Sequence, residues 1–247
     1  KKFKMSENIL QNIIQKKIKK VDKLKKTLDI KALNELIDKN NNFINFKEKI
    51  ENNLNNNKTS IIAEIKKASP SAGIIIEDYN PVDIAQIYLN NKATCLSVLT
   101  EEDYFLGNLI HISKIKDKIN LPVLCKDFFI DKFQIPLAKS YGADAILIIL
   151  AGVTDDVAFE LYDEAMKYNM SVIVEVHTVE EAKKACKNGE VPVGAVIVYK
   201  NNVIARSGNL MVKYSNPLMH AEMIVLKKAT KVLSEIGLST LLNLSSL

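Results

Sequence analysis

Tryptophan is absent from this 247-residue chain, arginine is almost absent, and only three cysteines and three histidines occur. The cysteines, Cys95, Cys125 and Cys186, form no short pairing motif, which excludes a disulfide framework and points to a reducing compartment. No apolar run approaches the roughly 18 residues of a membrane span, and no hydrophobic stretch of the kind a signal peptide needs follows the basic start. Met5 reads as a natural first residue, with a soluble, cytoplasmic chain as the expectation. The charge is lopsided: residues 1–60 hold 15 Lys against 7 acids, a net of +8, and the remainder nets −3. Without arginine or interleaved aromatics this basic segment does not read as a nucleic-acid surface, and a compositional bias explains it better.

What is present is periodicity. With 47% hydrophobic residues the chain can build one large α/β domain or two smaller ones. Ile9, Ile13, Ile14, Ile18, Val21, Leu24 and Leu28 recur at helical spacing with Lys opposite, which predicts a long amphipathic helix, and a second helix is expected near Ile30–Ile37. NNNF and ENNLNNNK read as turn-rich, solvated connections. Short apolar runs then fall at 60–66, 94–99, 121–126, 144–149 and 171–176, separated by helix-like stretches. Strand and helix in alternation imply parallel strands with right-handed crossovers. After residue 186 the pattern changes: residues 191–206 read as a hairpin turning at Lys-Asn-Asn, and NPLMHAEMIVLKKATKVL reads as one helix. The expected divisions are 1–59, an N-terminal helical extension; 60–186, five strand-helix units; and 187–247, the hairpin and helix.

Chemistry-bearing residues gather at strand ends. AEIKKASPS puts Glu64 and Lys66 on one face of a strand by period-two alternation, LPVLCKDF ends on Lys126, and SVIVEVHT carries Glu175 near its tip. A Glu-x-Lys pair on a strand is by itself more often a solvated ion pair, and a lone Lys after an apolar strand is more often exposed. Three such tips at one end of a parallel sheet read instead as a site. His177 reads as a loop histidine, His111 as a helix-surface residue and Cys125 as a packed core thiol.

AEIKKASPS, SVLTEEDYFLG, LPVLCKDFFID, GADAILII and VEVHTVEE, in that order and spacing, resemble the first five strand-helix units of indole-3-glycerol phosphate synthase over residues 6–185. The resemblance implies an incomplete (β/α)8 TIM barrel of five units behind an N-terminal helical extension. It implies a carbon-carbon lyase of tryptophan biosynthesis that closes the indole ring of 1-(2-carboxyphenylamino)-1-deoxyribulose 5-phosphate, with loss of carbon dioxide and water. Lys126 would be the general acid at the developing alkoxide, Glu175 the acid or base of the dehydration, and Glu64 the holder of the proton network. Lys66 would contact the substrate's carboxylate or phosphate, and Ser69, Pro70, Phe105, Phe128 and Leu147 would line the slot for the anthranilate ring. The implied partner is a small phosphorylated substrate, with no cofactor. The family's later motifs, Asn-Asn-Arg on the sixth strand and Ser-Glu-Ser-Gly on the seventh, do not follow, and Asn201-Asn202-Val203 matches the former only by coincidence.

EVPVGAVIVYKNNVIARSGN followed by NPLMHAEM resembles the N-terminal half of a zinc-dependent deaminase of the tRNA adenosine type, over residues 182–233. That resemblance implies a β-hairpin-plus-helix fragment in which His220 and Glu222 stand where a zinc ligand and a proton shuttle would, and Asn209 where the target base is contacted. No cysteine follows Glu222, and a catalytic zinc needs three protein ligands, so His220 and Glu222 read as remnants and no metal is expected. The alternatives to a synthase are thus a truncated deaminase and a non-catalytic remnant or assembly module. A five-strand partial barrel also leaves open edges, which favour self-association.

Overall fold

A computed structural model describes the backbone of residues 2–8, all of 9–40 and 42–176, and the backbone of 192–193, 195–199 and 202–207. The chain divides into two compact units, one spanning Glu7–Val174 and the other taking in the described residues before Glu7 and from Glu175 onward.

The chain opens with three helices: α1 (Lys2–Thr27), α2 (Ile30–Lys39) and α3 (Phe46–Asn55). The third corrects the solvated connection expected at ENNLNNNK. Asn45 caps it by accepting the Glu48 N–H at 3.0 Å, and Phe46, buried at its first turn, anchors it. Its asparagines are poor helix formers, so the cap and the buried ring outweigh propensity here.

The expected rhythm follows. The five long strands are β1 (Ile62–Ile65), β4 (Cys95–Leu99), β5 (Val123–Lys126), β6 (Ala145–Ile149) and β7 (Ser171–Glu175). They lie in the order β1-β4-β5-β6-β7, and the pairings β1–β4, β4–β5 and β5–β6 are parallel. Between them run α4 (Pro81–Asn90), α5 (Ile110–Lys116), α6 (Gln134–Ser140) and α7 (Asp155–Lys167). α4 starts on an Asn80 cap with Pro81 in its first turn, and α7 on a Thr154 cap backed by Asp155 and Asp156. A small antiparallel pair, β2 (Ala68–Ser69) with β3 (Gly73–Ile74), follows β1 and was not expected from Ser-Pro-Ser.

Two apolar clusters occupy the two faces of the sheet. Ile65, Leu96, Val98, Val123, Ile146 and Ile148 pack under the helices. Cys95, Leu124, Ala145, Leu147 and Ile149 form the other cluster, joined by Phe46 of α3 and half-buried Ile50, Phe128 and Ile173. Each fully buried Leu or Ile contributes about 1.5–3 kcal/mol. The α3 region closes the strand beginnings: Ile44 N–H donates to Asp144 Oδ1 at 2.7 Å, Lys47 N–H to Ser171 Oγ at 3.1 Å, and Asn53 Nδ2 to Thr94 Oγ1 at 3.1 Å. Thr94 and Asp144 immediately precede β4 and β6, and Ser171 begins β7. With that end covered, the strand ends are left for chemistry.

In the second unit β9 (Ala195–Tyr199) pairs antiparallel with β10 (Asn202–Ser207), as the hairpin reading expected, with a register shift between Val203 and Ala205. A short strand, β8 (Pro192–Val193), precedes them.

Candidate active site

Glu64 sits on β1, Lys66 two residues beyond, and Lys126 at the end of β5, separated from β1 by β4. The register pairs Glu64 with Ser97 and Ser97 with Leu124, so Lys126 lies one step up the same face. Glu64 bridges both ammonium groups: its Oε1 accepts Lys66 Nζ at 2.6 Å, and its Oε2 accepts Lys126 Nζ. Burial would raise the Glu64 carboxyl, but the charges of Lys126 and then Lys66, with their hydrogen bonds, outweigh it and hold it below the usual value. A carboxylate that stays ionised between two lysines can hold both ammonium groups aimed, which a positioned proton donor requires.

The two phenylalanines expected at the ring slot come from two loops. Phe105, after β4, and Phe128, after β5, stand with ring centroids 6.3 Å apart, and Phe128 packs onto the cluster that contains buried Leu147. The Phe105 loop is built by Glu101, only 2% exposed. Its Oε1 accepts the Asp103 N–H at 3.0 Å, and its Oε2 accepts those of Tyr104 and Phe105 at 2.7 and 3.1 Å. Gly107 closes the loop, donating its N–H to Glu101 O at 2.7 Å. A Cβ at Gly107 would lie 2.3 Å from Leu99 O, so backbone proximity excludes every other residue there.

The remaining expected residues are placed less centrally. Ser69 lies on β2 with its Oγ accepting the Ala72 N–H at 3.2 Å within its own turn, and Pro70 is exposed beside it. Glu175 ends β7, half-buried, on the face of Ile173 by strand alternation. His177, Asn209, His220 and Glu222 lie outside the described residues. Among the described residues no group of three His, Cys, Asp or Glu could hold a metal, and no helix is long and apolar enough to cross a membrane. Cys125 is a core thiol as expected, pushed up to about 12 by burial, with Thr100 Oγ1 3.3 Å from its sulfur. His111 departs from the helix-surface reading: it is half-buried against Tyr79, centroids 5.5 Å apart, and its Nδ1 is buried with no hydrogen-bond partner.

The model of the family described as indole-3-glycerol phosphate synthase matches residues 10–239. The chain belongs to that family. The match runs through most of residues 187–247, where a deaminase-like fragment was expected, and nothing among the comparisons supports that fragment. Among curated relatives, an indole-3-glycerol phosphate synthase of Aliarcobacter butzleri (strain RM4018) is 48% identical over 134 residues, covering 54% of this chain and 51% of that protein. The one from Clostridium acetobutylicum is 44% identical over 180 residues, 73% of this chain and 64% of that protein. A tryptophan biosynthesis protein TrpCF of Buchnera aphidicola subsp. Schizaphis graminum (strain Sg) is 41% identical over 184 residues, 74% of this chain and 39% of that protein. The chain thus spans between 39% and 64% of the length of these relatives. Among solved structures, a tryptophan synthase subunit alpha from Legionella pneumophila str. Paris aligns over 77% of this chain and 98% of its own at 8% identity and a TM-score of 0.40, too loose a likeness to carry an argument.

The structure brings together Glu64, Lys66 and Lys126, which sequence reasoning singled out, and shows surrounding contacts that it missed. Asp127, Glu101, Thr100 and Gly107 adjoin or fall within the quoted motifs SVLTEEDYFLG and LPVLCKDFFID, yet an acid after a strand reads as solvated until its loop is seen to close over it. Lys17, which pairs with Asp127 at 2.5 Å, gave no local signal, because that partner is distant in sequence.

Proposed function

We propose that the site closes the indole ring of 1-(2-carboxyphenylamino)-1-deoxyribulose 5-phosphate. The observation that carries this reading is Glu64 bonded to both Lys66 and Lys126 on strand ends of one sheet face, beside the Phe105–Phe128 wall. The ring carbon bearing the carboxylate attacks the ketone carbon, forming the new carbon–carbon bond while Lys126 delivers a proton to the developing alkoxide. Carbon dioxide then leaves and restores the aromatic ring. The hydroxyl then takes up a proton and departs as water while the neighbouring nitrogen-bearing carbon gives up a proton to form the ring double bond, with Glu175 as the acid or base of this step. Glu64 holds the lysines, Lys66 receives the substrate's carboxylate or phosphate, and Ser69, Pro70, Phe105, Phe128 and Leu147 border the ring slot. The family supports a cytoplasmic setting.

Turnover followed by indole fluorescence tests the reading, since the chain carries no Trp of its own. Product formed by the chain and lost in Lys126→Ala supports it. No product from a folded chain supports a non-catalytic remnant instead.

A second element of the proposal concerns residues 187–247, read as descended from a zinc deaminase. The β9–β10 hairpin supports it. Stoichiometric zinc in the purified chain would instead favour a working deaminase site. Self-association is also part of the proposal: among the described strands β1 is paired only with β4, and Ile61 and Ile62 beside that edge are 52% and 41% exposed.

A further inference from the structure

Consecutive residues at the tip of β5 make ion pairs in different directions. Lys126 pairs with Glu64, and Asp127 pairs with Lys17 of α1 at 2.5 Å, both side chains of the latter pair only 9% exposed. Both oxygens of Asp127 are engaged: Oδ1 also accepts the Phe128 N–H at 2.7 Å, and Oδ2 accepts Thr100 Oγ1 at 2.8 Å. Thr100 additionally donates its backbone N–H to the Lys126 carbonyl at 3.1 Å. The residues on either side of the Lys126–Asp127 peptide are therefore fixed to β4 and to α1 at once.

Other contacts of α1 reach the same rim. Lys20 meets Glu102 and Asp103 at 2.8 and 3.1 Å, Lys25 meets Asp131 at 2.8 Å, and Lys16 lies 4.6 Å from the Tyr104 ring centroid. The Lys20 and Lys25 pairs are well exposed, and such pairs constrain little. Lys17–Asp127 is buried, where one partner without the other is strongly unfavourable, so this pair holds geometry.

We propose that Lys17 is a positioning residue for Lys126: by holding Asp127 on one side of the β5 tip, it keeps the Lys126 ammonium turned toward Glu64 on the other. The inference rests on Lys126 as the proton donor, and it makes the N-terminal extension part of the site's precision. Lys17 touches no reacting atom in this scheme.

The test reads the Glu64–Lys126 contact directly, by carbon-13 NMR titration of the Glu64 carboxyl in the full chain. Lys126→Met supplies the reference for a lost contact, with Glu64 titrating at higher pH than in the unaltered chain. The double variant Lys17→Met/Asp127→Asn leaves no unpaired buried charge, and Thr100→Val is a milder lesion on the same carboxylate. Both should move the Glu64 titration upward toward the Lys126→Met value, the double variant further, while Lys17→Arg leaves it in place. A folded double variant or Thr100→Val chain in which Glu64 titrates as in the unaltered protein overturns the proposal. The readout needs no turnover: a chain that forms no product but shows these shifts loses the proposed function and keeps the positioning pair.

Discussion

Glu101 holds Phe105 by its backbone, the buried carboxylate accepting the Phe105 N–H at 3.1 Å through the same oxygen that takes the Tyr104 N–H at 2.7 Å. A loop of half-buried and exposed residues is thereby given a fixed shape by one acid beneath it. Glu101→Ala should leave three N–H groups without this acceptor and cost about 2–4 kcal/mol, given that hydrogen bonds to charged groups contribute about 1.5–3 kcal/mol. Glu101→Gln should lose less, because the amide oxygen still accepts. Urea denaturation of both variants checks the order, and equal losses would contradict the account.

Lys116 and Asp144 form the most buried ion pair among the described residues, 2.8 Å apart with side chains 4% and 0% exposed. Burial raises the Asp144 carboxyl even though Lys116 and the N–H groups of Ile44 and Val123 oppose it. Lys116→Met should destabilise by about 3–5 kcal/mol, the usual loss when one member of a buried pair is removed. Lys116→Met/Asp144→Asn should recover part of that, since the Asp144 carboxylate is then no longer left without Lys116. Denaturation midpoints read the difference, and a double variant no more stable than Lys116→Met would refute the explanation.

His111 predicts a pH dependence. Burial, and secondarily the charges of Lys114 and Lys67, lower its imidazole below the ordinary value. The unfolded chain takes up a proton at this ring near pH ~6.5, and the folded chain only at lower pH. The unfolded state therefore binds more protons in that window, so stability from this group is complete above pH ~6.5 and falls as the pH drops below it. In His111→Leu the loss of stability between neutral and mildly acid pH should be smaller than in the unaltered chain. Parallel denaturation curves at the two pH values measure it, and an unchanged loss would exclude His111 as the cause.

The exposed edge of β1 predicts an association. If Ile61 and Ile62 meet another chain, Ile61→Lys/Ile62→Lys should shift sedimentation toward the monomer while helix content stays constant, since charge on an edge opposes strand pairing. A monomer in both forms would show that the edge is not used.

Much of this fold was legible in the sequence because parallel strands buried on both faces read as continuous apolar runs, and AILII of β6 is the plainest case. The candidate site residues stood out for the same reason: Glu64, Lys66 and Lys126 interrupt or end such runs. α3 was not legible, because its asparagines mask a helix whose stability comes from Phe46 buried against strands far along the chain. Lys17 was hidden among other lysines spaced alike on α1. Only the fold tells apart the one facing Asp127 from those facing solvent, since 110 positions separate the partners.

The closure of the strand beginnings by α3 has a consequence for how the molecule is assembled. Ile44 and Lys47 reach partners 100 and 124 residues downstream, so this segment is made early yet cannot take its place until β6 and β7 exist. Non-local contacts of this kind slow folding, because the loop between partners must be closed before the contact rewards it. The extension is therefore not a detachable preface: a chain trimmed to begin at β1 would leave Thr94, Asp144 and Ser171 open to water, and would lose the piece that ties the first strands to the last of the five.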